Sequence, residues 1–169
     1  MEGSQYPVQA GTALEYNVAA RASTDYITDP GMAILLSIIT CGIYGLFIIY
    51  KLVQRRDEHF QRMSAVVDSS IAQLRTKAQG REEVIAAELS QLDQIRMKMA
   101  SMAAERGAAI WLIICIFTFG IGYFILYYLL MQDYVEHDAV ESQFFTLMSY
   151  AMAKVGLAGE AGQAVPTAP

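Results

Sequence analysis

Charge is what this sequence has least of: Asp, Glu, Lys and Arg make up 17% of its 169 residues, where an ordinary soluble domain carries roughly a quarter. Cysteine is nearly absent too. Cys41 and Cys115 both lie inside apolar runs and form no CxxC or His/Cys cluster, which leaves no disulfide framework and no structural zinc site. The net charge is −5, so there is no global basic field and nucleic acid is not an expected partner. No Ser/His/Asp arrangement, P-loop, dinucleotide fingerprint or H-E-x-x-H occurs. The chain therefore reads as non-enzymatic, and no cofactor is implied.

What the sequence has in quantity is apolar surface, 54% of its residues, and it is concentrated. Residues 31–50 and 107–132 contain no charged residue, and each run matches the ~20 residues needed to cross a hydrocarbon core. The preceding segment, 1–30, has neither a basic n-region nor a short apolar h-region, so no cleaved leader is expected there. Neither run holds a charged residue at depth, which argues against a pump or ion pathway built from this chain alone.

Charge is partitioned among the polar regions. Residues 51–106 hold 10 of the 12 basic residues, whereas residues 1–50 and 107–169 are both acidic. The positive-inside rule then places 51–106 in the cytoplasm, with the bacterial inner membrane as the expected location. Within 51–106, Phe60, Met63, Val67, Ile71, Leu74 and Ala78 form one apolar helical face, and Gly80 follows as a stop. Ile85, Leu89, Leu92, Ile95, Met99 and Met102 form a second seam of heptad type. An antiparallel helical hairpin is expected, whose seam either closes the hairpin on itself or packs against neighbouring subunits. Beyond the second run, Val140, Phe144, Leu147, Met148, Ala151 and Val155 give residues 133–155 the stripe of an interfacial or partner-binding helix. The tail 156–169 reads as disordered.

The chain also repeats itself. A shift of 78 sets Thr40 on Thr118, Gly42 on Gly120, Ile43 on Ile121, Tyr50 on Tyr128, Glu58 on Glu136 and His59 on His137, the mark of a duplicated unit. Threonine beside glycine suits a kink, because the hydroxyl can satisfy backbone groups freed by the bend. Thr40, Gly42, Gly45, Thr118, Gly120 and Gly122 are thus candidates for hinges or close packing. If each unit crosses the membrane once, the Glu-His pairs end on opposite sides; if each unit re-enters, they stay together. Glu58, His59, Glu136 and His137 are weak candidates for a metal or proton site, because adjacent residues diverge by about 100° on a helix.

The stretch LLSIITCGIYGLFIIYKL resembles the signature of small, mostly bacterial membrane proteins grouped as domain of unknown function four-two-three-four: an apolar helix, Thr-x-Gly-Ile-Tyr-Gly, then aromatics and a basic residue. The second copy departs from it at Gly122 and Leu129. The resemblance implies a membrane location and carries no catalytic residue. The expectation is an all-α integral membrane protein in which two transmembrane or re-entrant segments are joined by a cytoplasmic hairpin and followed by an amphipathic helix. Its expected partners are the lipid bilayer, further copies of itself and another membrane protein, and its expected role is to scaffold or shape the membrane. The alternatives are a pore or accessory subunit, or a metal- or proton-sensing module.

Overall fold

A computed structural model describes residues 10–20 and 29–157. Among them are six α-helices: α1 Ala10–Ala19, α2 Pro30–Ile39, α3 Ile43–Lys77, α4 Ala86–Met102, α5 Ala108–Phe117 and α6 Ile121–Lys154, with a 3-10 turn Glu82–Ile85 leading into α4. The start of α2 is specified locally. Asp29 caps it by accepting from Met32 N at 2.8 Å, and Pro30 occupies the first turn, where its missing N–H costs nothing.

Each uncharged run is broken in the middle by a turn, and the two turns are the same. Cys41 N donates to Ile38 O and Gly42 N to Ser37 O; 78 residues later Phe119 N donates to Ile116 O and Gly120 N to Cys115 O. This is the Schellman pattern of a helix end, with Cys41 and Phe119 at φ 50° and 51° and Gly42 and Gly120 at φ 92° and 91°. The threonine hydroxyls stitch each bend. Thr40 Oγ1 donates to Leu36 O and accepts from Tyr44 N, while Thr118 Oγ1 donates to Ile114 O and accepts from Gly122 N. Thus α2 folds back on α3 and α5 on α6, giving two apolar hairpins.

This overturns the integral membrane architecture expected over 31–50 and 107–132. Among the described residues no helix is long and apolar enough to cross a membrane. The reason is geometric: α2 and α5 have ten residues each, about 15 Å of helix, and α3 and α6 begin apolar but continue into charged sequence. The helices also run through the polarity changes at 50/51 and 132/133 without a break, since a change of polarity contains no helix breaker.

The long helices supply the body of the molecule. Their charged halves pack with α4 around Val67, Ile71, Leu74, Ile85, Leu92, Met99, Val140 and Phe144. The heptad-type seam faces inward: Ile85, Leu92 and Met99 are buried, and Leu89, Ile95 and Met102 pack against them. The stripe of 133–155 is likewise this core's third wall, not an interfacial helix, because Val140, Phe144, Met148, Ala151 and Val155 are all enclosed. Gly80, at φ 82°, lies in the turn after α3. Arg81 ties that turn to the carbonyl of Val155, and Lys154 bridges to Glu88 at 2.6 Å. The tail beyond residue 157 lies outside the described residues.

The glycines of the turns do different work. A Cβ on Gly122 would stand 2.9 Å from both Ile114 Cγ2 and Thr118 Oγ1, whereas one on Gly45 would meet Ser37 Oγ at an ordinary 3.5 Å. Gly45→Ala should leave stability unchanged or improved, since glycine inside a helix costs up to about 1 kcal/mol relative to alanine. Gly122→Ala should fall below it by about 1–3 kcal/mol, the usual cost of overpacking. Denaturant midpoints of the two variants measured side by side check the difference.

Candidate functional site

The two hairpins stand next to each other. Ile49 and Val53 of α3 pack with Cys115 of α5 and Leu126 of α6, flanked by Leu46, Trp111 and Leu130. Both long helices start at a turn, and both bring their histidine to the same place 16 or 17 residues later, so the two turns lie at one end of the molecule. That end is apolar and open. Phe119 is 98% exposed and Phe117 78%, and Ile38, Ile43, Ile121 and Phe124 are each about two-thirds exposed or more. Of the residues expected to hinge or pack, Thr40, Gly42, Thr118 and Gly120 build these tips, and Gly45 and Gly122 sit just inside them. Tyr123, Tyr127 and Tyr128 are exposed along α6, and Tyr44 and Tyr50 half-buried along α3.

Where the apolar sequence ends, a knot of charges joins the two units. Arg56, only 4% exposed, donates from Nη1 to Asp57 and to Ala104 O and from Nη2 to Met102 O, and its Nε lies 3.1 Å from Asp133 Oδ2. Arg106 grips Asp133 through Nε and Nη2, and its backbone N–H is shared by both oxygens of Asp57 at 3.1 Å. The hydrogen bonds to Asp133 raise the Arg106 guanidinium above its ordinary range. One aspartate on α3, one on α6 and two arginines therefore fix α3, the α4–α5 connection and α6 together. Sequence reasoning missed this knot. Part of its signal was there: Arg106 and Asp133 are the charges that border the second apolar run, and Arg56 and Asp57 follow the end of the first by six and seven residues.

One turn further from the tips the repeat-equivalent histidines meet, their ring centroids 5.3 Å apart. His137 is 1% exposed and stacks on Phe60 at 4.1 Å, and Arg56 Cζ lies 4.3 Å from the centroid of the same Phe60 ring. Burial, reinforced by His59, holds the His137 imidazole down to a pKa of about 4, so it is neutral at physiological pH. His59 Nδ1 is 2.9 Å from Arg62 Nη2. The neighbouring glutamates are not brought in: Glu58 accepts from Gln54 and Glu136 pairs with Lys98 at 3.0 Å on the surface. The carboxylate that does arrive is Glu141, whose Oε2 is 3.5 Å from His137 Nδ1. The i,i+4 spacing from His137 to Glu141 on one helix face was the legible clue.

Residues 29–74 match the model of a family described as Domain of unknown function (DUF4234). The matched segment takes in α2, the first turn and nearly all of α3; it stops short of the second hairpin. No curated protein and no solved structure matches the chain.

Replacing Asp133 by Asn should cost about 3 kcal/mol or more, because it leaves buried Arg56 without a carboxylate on α6. The exposed Asp93, which pairs with Arg75 at 2.7 Å, should lose at most about 1 kcal/mol on the same substitution. Equilibrium unfolding of D133N and D93N checks the contrast.

Proposed function

We propose that this chain, whose residues 29–74 match the DUF4234 family, docks on the face of a lipid bilayer through its two apolar tips and scaffolds or shapes that surface without spanning it. The observation that carries the reading is the concentration of exposed large apolar side chains at one end of the molecule, Ile38, Ile43, Phe117, Phe119, Ile121 and Phe124. An apolar patch of this kind on an otherwise charged bundle marks a surface that is covered in use. The depth fits a single leaflet. Each short helix measures about 15 Å, half of the ~30 Å hydrocarbon thickness. The tyrosines and the basic residues Lys51 and Arg55 follow at the level of the interface and headgroups, where aromatic rings and cations are favoured.

Shape follows from the same geometry. Two hairpins set side by side in the near leaflet add area there and none in the far leaflet, so the bilayer bends toward the protein. The rigid bundle above the tips holds them at a fixed spacing, which is what a scaffold requires. The same geometry keeps the basic 51–106 region on the docked side, consistent with a cytoplasmic leaflet.

The substitution F117E/F119E/F124E tests the reading. Burial of each phenylalanine is worth about 1.5–3 kcal/mol, so losing three should weaken lipid binding by about a thousandfold or more. In flotation with phosphatidylcholine/phosphatidylglycerol vesicles, the wild-type chain should rise with lipid and the variant remain below, with unchanged helical content. Equal flotation of the two would refute docking through the tips.

A further inference from the structure

Independently of any lipid, the structure brings together a set of metal-ligating groups. His59 on α3 and His137 and Glu141 on α6 each offer one ligand atom, and these atoms all lie within 4.8 Å of one another. His137 is almost completely enclosed, and among the described residues neither of its ring nitrogens has a hydrogen-bond partner. A buried imidazole with both nitrogens unsatisfied is costly, since each forgoes water without compensation. Phe60 stacked on one face of the ring keeps it from turning toward solvent. A ligand on a nitrogen of His137 removes part of that cost.

We propose that His59, His137 and Glu141 bind one divalent transition-metal ion of the zinc class. Two imidazoles and one carboxylate are the donor set that zinc and its neighbours prefer, and three protein ligands leave a position for water. The spacing requires a small closure. Ligands of a tetrahedral zinc stand about 3.3 Å apart for bonds of 2.0–2.1 Å. Glu141 Oε2 and His137 Nδ1 are already 3.5 Å apart, so the adjustment falls mainly on half-buried His59.

The charges facing the site set a second condition. Arg62 Nη2 is 2.9 Å from His59 Nδ1, and Arg56 lies over Phe60 next to His137. Both cations oppose a dication, and the Arg62 contact favours the His59 tautomer with its proton on Nε2. Metal binding through Nε2 therefore breaks the Arg62 contact, and binding through Nδ1 displaces Arg62 outright. In either case Arg62 acts as a competitor for the site. The bound ion would clasp α3 to α6, one histidine from each copy of the repeat, about 25 Å from the tips at 1.5 Å per residue.

The test is titration of the full chain with zinc and, separately, with cobalt(II), whose visible absorption reports coordination by protein nitrogen. The expected result is one saturable equivalent, weakened at least tenfold in H59Q and in E141Q and tightened in R62Q. His137 is left unaltered because its burial makes folding of a substituted chain uncertain, whereas His59 and Glu141 are each partly exposed. The absence of a saturable equivalent in the wild-type chain overturns the site, and so does binding that H59Q and E141Q leave unchanged.

Discussion

The joint formed by Arg56, Asp57, Arg106 and Asp133 is the constraint on which the remaining architecture depends. The apolar cluster shared by the two hairpins is small, four buried residues with a few partners at the rim, and the large side chains at the tips beyond it are exposed. What sets one hairpin against the other is a bidentate arginine on Asp133, a second arginine that reaches the same carboxylate, and an aspartate that receives a backbone N–H from the opposite unit. A buried ionic network contributes little net stability compared with apolar packing, but it accepts only one register. Displacing α3 along α6 by a turn would take Asp133 away from buried Arg56 and leave it only Asp57 of its own helix. The charges thus fix the relative height of the tips, and the relative height of the tips decides whether both can rest on one flat surface.

The position of the joint is as informative as its chemistry. It lies where each long helix passes from uncharged to charged sequence, so the molecule divides into an apolar end without charges and a polar body with its own core. The body closes through α3, α4 and α6 around Phe144 and Leu92, and it needs nothing from the tips to do so. This division lets one end be committed to a lipid surface while the other remains a rigid handle. The histidines are equidistant from their own turns and meet where the two units come together.

Much of this was legible in the sequence and part of it was not. The repeat at 78 residues appears in the backbone as two turns with matching hydrogen bonds, and the Thr-x-Gly pattern names the residues that form them. The helical faces around Val67 and Leu92 and the stop near Gly80 were equally readable, because periodicity and capping are local signals. Run length misled. A count of uncharged residues over 31–50 or 107–132 does not register a left-handed residue in the middle, and Cys41 and Phe119 are not residues that announce one. The stripe at 133–155 was read as facing a membrane or a partner, since periodicity identifies an apolar face but not what covers it. The charged joint and the meeting of His59 with His137 escape a sequence reading because the partners are distant in sequence, and only the fold brings them together.

The central claim is that the tips and the body lie on one docked side, with the tips in lipid. Single cysteines placed at Phe119, Met97 and Tyr16, in a chain with Cys41 and Cys115 changed to serine, test it directly in sealed vesicles carrying the protein. A membrane-impermeant thiol reagent added outside should label positions 97 and 16 to the same extent and leave position 119 unlabelled until detergent is added. Labelling of 97 and 16 from opposite sides, or ready labelling of 119 in the intact vesicles, would contradict the account.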